Sequence, residues 1–328
     1  MTRESSFALS VIIPTKDRAE QLSEISLPSL AKQTSHDFEI IVWDASGDNS
    51  SRLVVEDLAV AHPDLVVRYF QAPRSGLPAQ RNDSAKAARG EIVFFIDDDC
   101  EVSPDGIDAL IEMFAQNRSV DAGCLVLETH WAAKGNEAVN TSKGFGAWLL
   151  TIGNKVFAGS SQISGIGPKE MPVRPGPVDF LPGCDFAVRA SVLKTHAFDE
   201  RLQRYAGYAL WEDQLFSHQL YREGLVLSVA GEGKAVHHSV AGGRVRDLFN
   251  RGCLEGYNAG IVWIAGVFPY DRRSILPFIW ARIGFLGVVL FPCLCKPWEA
   301  PRWKRAAGYL RGLWVFFWEE CFVFPSRA

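Results

Sequence analysis

Three consecutive carboxylates, Asp97, Asp98 and Asp99, follow an unbroken apolar run from Ile92 to Ile96. The run has the length and character of a strand that is buried on both faces. Adjacent acids at the end of such a strand repel one another and are costly to bury. A divalent cation bound together with phosphate oxygens relieves this repulsion, and hard oxygen ligands suit Mg²⁺ or Mn²⁺.

The segment before the acids favours this interpretation over its alternative, a solvated acidic turn. Leu77 to Ala88 is predicted to be a helix, and Gly90 stands just past its end. Arg81 and Asn82 lie on this helix, where a cation and an amide can meet the same phosphates or the sugar attached to them.

The elements that carry these residues indicate a parallel α/β sheet, because apolar strands alternate with helices of ten or more residues. The predicted strands are Ala8–Ile13, Phe38–Trp43, Leu65–Phe70 and Ile92–Ile96, and the predicted helices between them are Ala19–Gln33, Ser51–Ala61 and Leu77–Ala88. Ligands of such sheets bind beyond the carboxyl ends of the strands, where Pro14, Asp44 and the three acids fall. A dinucleotide-binding dehydrogenase is excluded, since residues 12–17 contain no glycine.

The composition is that of a globular protein. The chain has 328 residues, 48% of them apolar and 22% charged, so neither a disordered chain nor an ordinary polytopic membrane protein is expected. Seven cysteines without a repeated pair spacing indicate thiols in a reducing compartment. Met1 to Ser10 lacks an apolar signal segment, so the expected location is cytoplasmic.

The last quarter of the chain differs from the rest. Residues 241–328 hold 12 Lys and Arg against 6 Asp and Glu, whereas residues 1–240 hold 22 against 32. Two apolar stretches, Ile275–Cys295 and Tyr309–Phe324, follow, and Arg282 interrupts the first. We therefore predict two domains, 1–240 and 241–328, the second being a basic, aromatic helical region.

This second region is predicted to form a shallow helical hairpin at a membrane surface rather than a spanning helix, since a central arginine is costly to insert. Residues typical of an interfacial belt lie between the apolar stretches: Lys296, Trp298, Arg302, Trp303, Lys304 and Arg305. A soluble helical subdomain or a dimer interface is the alternative.

Five co-ordered motifs give the sequence a family resemblance. They are VIIPTKDR, IIVWDASGDNS, GLPAQRN with its acidic strand end FFIDDD, LPGCDFAVR and WEDQLFSHQLYREG, within residues 11–224. The series resembles the inverting glycosyltransferases of family 2, and the resemblance covers about residues 7–240. It implies a GT-A type nucleotide-diphospho-sugar transferase fold, a mostly parallel sheet flanked by helices.

The resemblance also implies roles for individual residues on the donor side. Pro14, Thr15 and Arg18 border the nucleotide, Asp44 contacts the base, and Arg81 flanks the diphosphate. The family's D-x-D type element corresponds to Asp97–Asp99: Asp99 and Asp97 are the candidate metal ligands, and Asp98 faces ribose or metal. In contrast to the family's frequent pair of acids, Trp43 stands before Asp44.

The acceptor side is implied in the same way. Gly183, Asp185 and Trp211 resemble residues beside the acceptor, and a helix is expected to begin near Arg189. Glu212 and Asp213 match the family's acidic catalytic element at a helix start, and Asp213 is the candidate base.

Two further features complete the expected site. A histidine completes the metal site in many members of the family, so one of His237 and His238 is a candidate ligand, and strand alternation should allow only one of them to face the site. An irregular segment, Thr129–Gly176, is expected to be a functional loop. Its aromatic residues Trp131, Phe145 and Trp148 are candidates for a sugar platform.

The sequence thus predicts an inverting glycosyltransferase of hexosyltransferase type that depends on Mn²⁺ or Mg²⁺. Its donor is expected to be a nucleotide-sugar, with uridine favoured and thymidine and guanosine left open. Its acceptor is a glycan or a lipid-linked molecule at the inner face of the cell membrane, in surface polysaccharide or glycolipid synthesis. Nucleic acid is not an expected partner. The alternatives are a nucleotidyltransferase and a catalytically inert sugar-nucleotide-binding membrane scaffold.

Overall fold

The computed structural model describes residues 7–129, 173–205, 209–238, 247–295 and 300–323. Within these ranges nine strands form one sheet, in the order β3-β2-β1-β4-β8-β6-β9-β5, with β7 paired to β9. The strands are β1 Leu9–Thr15, β2 Phe38–Asp44, β3 Val66–Gln71, β4 Ile92–Ile96, β5 Cys100–Val102, β6 Val120–Thr129, β7 Gly176–Val178, β8 Asp185–Arg189 and β9 Val226–His237. The sugar platform proposed from Trp131, Phe145 and Trp148 lies outside the described residues.

The first half of the sheet is parallel, as the alternation of strands and helices predicts. Strand β1 pairs in parallel with β2 and β4, and β2 pairs in parallel with β3. Every residue of β1 and β4 is buried, which is why β4 is an unbroken apolar run and β1 is mostly apolar. The other half is mixed, because β8 runs antiparallel to both β4 and β6, and β9 runs parallel to β6.

The described residues also form α-helices in both parts of the chain. These helices are α1 Ala19–Gln21, α2 Leu27–Ala31, α3 Ser50–Ala61, α4 Leu77–Ser84, α5 Gly106–Gln116, α6 Glu212–Arg222, α7 Leu248–Val262, α8 Ile275–Cys295 and α9 Ala300–Phe316. A π-helical turn, Leu22–Ser26, joins α1 to α2, so the single helix predicted over Ala19–Gln33 is interrupted.

The helix expected to begin near Arg189 is short and begins at Val192, as a 3₁₀-helix over Val192–Lys194. Asp185–Arg189 is β8, whose residues pair antiparallel with β4, from Ile96 opposite Asp185 to Ile92 opposite Arg189. The segment forms a strand because four of its five residues are buried in the middle of the sheet. The sequence motif gave no indication that this segment is buried in the middle of the sheet.

The chain divides into two compact units. Of the described residues, the first unit comprises 7–129, 173–198 and 220–238, and the second comprises 199–205, 209–219, 247–295 and 300–323. The candidate donor-side residues all belong to the first unit, whereas Trp211, Glu212 and Asp213 belong to the second. The second unit therefore takes in more of the chain than the C-terminal region alone.

Helices α7 and α9 pack at very short range inside the second unit. A Cβ atom built on Gly256 would lie 2.3 Å from the carbonyl oxygen of Tyr309, and one built on Gly312 would lie 2.2 Å from that of Cys253. Only glycine permits this approach of two helix backbones. Among the described residues, no helix has the length and apolar character that crossing a membrane requires.

Candidate active site

The carboxyl ends of β1 and β2 lie side by side, and α4 holds them there. Thr15 is in register with Asp44, the last residue of β2. The Gln80 amide donates hydrogen bonds to the carbonyl oxygens of Thr15 (3.0 Å) and Trp43 (3.1 Å). Pro14 is tolerated in this central strand because the pairing of β1 with β4 already ends at Ile12.

The loop after β1 aims Arg18 at the acidic triplet. Asp17 has a positive φ of 55°, and its backbone N–H donates to Ser46 Oγ (2.7 Å). Arg18 Nε lies 2.6 Å from Asp98 Oδ1, and Arg18 Nη2 lies 2.5 Å from Asp99 Oδ2. One guanidinium therefore bridges two of the three acids, which relieves part of their mutual repulsion.

Asp98 faces inward, toward the end of β1. Its carboxylate accepts a hydrogen bond from Thr15 Oγ1 (2.7 Å) as well as from Arg18. Burial raises the pKa of Asp98 to about 7, although Arg18 and Thr15 oppose the shift. Asp98 thus differs from Asp97 and Asp99, because its carboxylate is buried between a hydroxyl and a guanidinium.

Asp97, Asp99 and His237 form a cluster whose candidate ligand atoms all lie within 4.8 Å of one another. The register between β5 and β9 creates it, since Cys100 pairs with His237 and so places this histidine beside Asp99. The His237 Nε2 atom lies 3.1 Å from Asp99 Oδ1. Of the two candidate histidines, the structure brings His237 into the cluster.

His238 lies outside this cluster. Its Nε2 atom is 2.8 Å from Glu101 Oε2, and both side chains are largely exposed. The reason is the alternation of neighbouring side chains at the end of β9. His237, and not His238, therefore lies beside Asp97 and Asp99.

The charges of the cluster support one another. Burial opposes ionisation of Asp99, but the hydrogen bond and charge of His237, together with Arg18, lower the pKa of Asp99 to about 2. Burial likewise opposes protonation of His237, but Asp99 and Asp97 raise the pKa of His237 to about 9. At neutral pH the pair is a buried carboxylate and an imidazolium.

The donor set fits a divalent cation. Two carboxylates suit Mg²⁺ or Mn²⁺, and imidazole is a common metal ligand once it loses its proton. Asp97 and His237 are partly exposed, so the cluster opens toward a ligand. Arg81, in contrast, is 1% exposed.

Because Arg81 is buried, it supports the site from within the protein and is not open to a ligand. Its Nη2 atom donates to the carbonyl oxygen of Gly183 (2.8 Å) and lies 3.6 Å from Asp97 Oδ1. The guanidinium also stacks over the Phe198 ring at 5.2 Å. Gly183 and Asp97, which the sequence placed on the acceptor and donor sides, are thus joined by one buried cation.

Asp44 is fully buried, and its carboxylate already has several donors. It accepts hydrogen bonds from the N–H and the hydroxyl of Ser46 and from Tyr69 Oη (3.0 Å). Burial and this bond raise the pKa of Tyr69 to about 12. Trp43 packs on Phe70, with ring centroids 5.3 Å apart.

Asp185 is also fully buried. Both of its carboxylate oxygens lie 3.1 Å from the backbone nitrogen of Leu125. Burial raises the pKa of Asp185 to about 8, so the group is largely neutral at neutral pH. The structure gives this residue a role in joining β8 to β6, within the sheet.

In the second unit, Glu212 and Asp213 begin α6. Glu212 is buried, and Asp213 Oδ1 accepts a hydrogen bond from the backbone nitrogen of Gln214 (2.8 Å). Trp211, immediately before them, has a φ of 70°. A positive φ is rare for a bulky residue, and such strained residues cluster at functional sites.

Asn258 of α7 holds the segment that leads into α6, and sequence reasoning missed it. Its amide nitrogen donates to the carbonyl oxygens of Leu202 (2.7 Å) and Leu210 (3.0 Å). Tyr69 was missed for the same reason, because an isolated polar residue in an otherwise ordinary helix or strand carries no motif and its partner is distant in sequence. Gln80 and Ser46 lie inside the quoted motifs GLPAQRN and IIVWDASGDNS, which gave them no role of their own.

Comparison with known proteins identifies the family of this chain. The family model described as glycosyl transferase family 2 matches residues 10–196. The GalNAc(5)-diNAcBac-PP-undecaprenol beta-1,3-glucosyltransferase of Campylobacter jejuni is 31% identical over 137 residues, which are 39% of this chain and 43% of that protein. The chain spans between 33% and 43% of the length of the first three curated relatives that it matches.

Solved structures share the fold. The mannosyltransferase PcManGT from Pyrobaculum calidifontis, in complex with GDP-Man and Mn²⁺, has a TM-score of 0.56 at 16% identity, covering 94% of this chain and 87% of that one. Residues 1–349 of S. aureus TarS give a TM-score of 0.51 at 18% identity, covering 94% and 91%. These likenesses confirm the predicted α/β fold of GT-A type. The family model covers more than half of the chain, and the chain belongs to glycosyl transferase family 2.

Proposed function

We propose that this protein is a metal-dependent, inverting glycosyltransferase of hexosyltransferase type. It moves a sugar from a nucleoside diphosphate, with uridine favoured, to an acceptor hydroxyl. The observation that supports this most is the cluster of Asp97, Asp99 and His237 at the carboxyl edge of the parallel strands, in a chain of this family. Ligands of α/β sheets bind at that edge.

The residues that bind the donor lie at and just after the ends of β1, β2 and β4. Thr15 and Arg18 border the nucleotide, and Trp43 and Asp44 form the floor of the base pocket. Because Asp44 is already bonded to Ser46 and Tyr69, its contribution is to fix the shape of that floor as well as to meet the base. Arg18 is exposed enough to exchange its bonds to Asp98 and Asp99 for a phosphate oxygen.

Asp97, Asp99 and His237 would hold Mn²⁺ or Mg²⁺. When bound, the ion supplies Lewis-acid stabilisation of the charge that develops on the leaving diphosphate. Arg81 keeps Asp97 in place through a contact of 3.6 Å. His237 gives up its proton to become a ligand, since only neutral imidazole binds a metal.

The acceptor half needs a base, because an alcohol is a poor nucleophile at neutral pH. Asp213 takes the proton of the acceptor hydroxyl as the new glycosidic bond forms, and the nucleoside diphosphate leaves from the opposite face of the anomeric carbon. That single displacement inverts the anomeric centre. Glu212 is buried and directly precedes Asp213 in the sequence, and Trp211 before it has a strained backbone. Both residues position the Asp213 carboxylate.

The acceptor is proposed to be a glycan or a lipid-linked molecule at the inner face of the cell membrane. The name of the Campylobacter jejuni relative, which includes a PP-undecaprenol acceptor, supports the lipid-linked class. The basic, aromatic C-terminal helices are the second support, since they suit a membrane surface.

The experiment measures release of the leaving group, the nucleoside diphosphate. The full chain with Mn²⁺ is incubated with UDP- and GDP-hexoses and a polyprenyl-pyrophosphate-linked N-acetylhexosamine. Release of nucleoside diphosphate by the wild type but not by Asp213→Asn, with an inverted product by NMR, is expected. In a parallel assay with UTP or GTP and a hexose 1-phosphate in place of these donors, release of pyrophosphate would instead indicate a nucleotidyltransferase. Donor binding without any turnover would indicate an inert scaffold.

A further inference from the structure

Helices α8 and α9 of the second unit each expose a row of apolar side chains. On α8 the row is Leu276, Ile279 and Ile283. On α9 it is Leu310 and Trp314, continued by Trp318 in the π-helical segment Phe317–Val323 that follows α9. The spacings of three and four place each row on one helix face. Leu276 and Trp314 are 64% and 63% exposed. We call these six residues the apolar rows.

The two helices are neighbours, so the rows belong to one part of the unit. The ring of Phe285 on α8 packs on Tyr309 of α9 with centroids 4.7 Å apart, and Phe278 contacts Phe317 at 6.5 Å. Trp314 and Trp318 stack on each other, with centroids 6.0 Å apart and an angle of 8°. Exposed apolar side chains grouped in this way mark an interaction surface.

The charges beside the rows are basic. Arg272 and Arg273 stand at the start of α8, and Lys304 and Arg311 lie seven residues apart on one side of α9, all of them exposed. The nearby acids are engaged elsewhere: Glu319 pairs with Arg204 through Oε1 (2.9 Å).

Glu320 is engaged in the same way, since its Oε2 lies 2.8 Å from Arg201 Nη1. Asp271 accepts a hydrogen bond from the backbone nitrogen of Arg273 (2.9 Å). The surface therefore combines aliphatic and tryptophan side chains with a positive flank.

From this combination we propose that the apolar rows dock the protein on an anionic lipid bilayer. Tryptophan side chains favour the interface between headgroups and acyl chains, and basic side chains beside them meet anionic headgroups. A second copy of the chain fits less well, because a two-fold interface through these rows would bring Lys304 and Arg311 toward their own counterparts. The inference extends the proposed function, since a lipid-linked acceptor would lie in the same bilayer.

The test measures binding of the full chain to vesicles, which needs no substrate. Wild type should float with vesicles of phosphatidylcholine and phosphatidylglycerol. The variant Leu276→Ser/Trp314→Ser/Trp318→Ser should lose at least about tenfold in affinity, because the inserted apolar area is removed. The control is Leu53→Ser/Val60→Ser, two exposed apolar side chains on α3 in the first unit. It should bind as wild type does.

A second variant addresses the charges. Arg272→Gln/Arg273→Gln/Lys304→Gln should weaken binding to the anionic vesicles by about fivefold for each charge removed, and added salt should have the same direction of effect. Circular dichroism and UDP binding should be unchanged in all variants, which separates this inference from the proposed function. Wild type that stays free of anionic vesicles overturns the proposal. So does a wild-type dimer that the triple apolar variant converts to monomer.

Discussion

The His237 Nε2 atom lies 3.1 Å from Asp99 Oδ1, although the two residues are 138 positions apart in the chain. The pairing of β5 with β9 brings them together. Their partnership lowers the pKa of Asp99 to about 2 and raises that of His237 to about 9, in each case against the effect of burial. The imidazolium and the carboxylate thus stabilise each other in their charged forms.

Mn²⁺ affinity should therefore increase with pH. His237 has to release its proton before it can bind the ion, and its pKa of about 9 means that each ion bound below that pH displaces one proton. We expect a gain of up to about tenfold per pH unit between pH 6.5 and 9, measured by titration calorimetry. His237→Gln should bind more weakly and lose this slope. His238→Gln is the matched control, and an equal effect of both substitutions would contradict the assignment.

The stability of the folded chain should depend on Asp185. Its folded pKa of about 8 lies above the ordinary value of 3.8, so the folded state holds a proton that the unfolded state loses across this interval. The free energy of unfolding should fall as pH rises from about 4 to 8, by at most about 1.4 kcal/mol per pH unit. Asp185→Asn should remove that part of the slope in urea unfolding. An unchanged slope would show that Asp185 is ionised in the fold.

Asp213→Asn should separate donor binding from transfer. The amide keeps the size of the side chain but cannot accept a proton, so kcat should fall by roughly 10²–10⁴-fold, while the donor dissociation constant stays the same. Glu212→Gln should cost less. Asp57→Asn, at an exposed acid on α3, controls for the loss of one charge. Turnover close to that of the wild type would move the base to another residue.

The close packing of α7 and α9 should not tolerate one added methyl group. In Gly256→Ala the new Cβ would meet the backbone of Tyr309 at 2.3 Å, so the helices have to separate. We expect a loss of about 1–3 kcal/mol in the free energy of unfolding. Gly47→Ala, where nothing lies within 4 Å of the added atom, should be close to neutral. A neutral result at Gly256 would mean that the two helices lie farther apart.

Much of the parallel half of the fold could be predicted from the sequence, because β1, β2 and β4 are apolar runs whose length leaves few alternatives. The acids at their ends could be placed at one sheet edge by the same argument. The pairing of β5 with β9 could not be predicted, since a three-residue strand carries almost no periodic signal. The choice between His237 and His238 depended on that pairing.

The helix expected to begin near Arg189 is reduced to the 3₁₀-helix Val192–Lys194 for a related reason. The residues Asp185–Arg189 carry no pattern that separates a buried strand from a helix start, and their burial between β4 and β6 decides the outcome. The glycine spacing of α7 and α9, at Gly252, Gly256, Gly308 and Gly312, was a readable signal of close helix packing. That α7 and α9 pack against each other, in contrast, could be known only from the fold.

The most direct test of the account is a thermal-shift titration of the wild type with UDP, with and without Mn²⁺. A ligand that binds only the folded state raises the midpoint, by an amount that grows with the ratio of its free concentration to its dissociation constant. UDP should raise the midpoint only when Mn²⁺ is present, and Asp99→Asn should abolish that dependence while Asp57→Asn keeps it. An equal shift by UDP with and without the ion, in the wild type, would contradict the assignment of Asp97, Asp99 and His237 as the metal site of the donor.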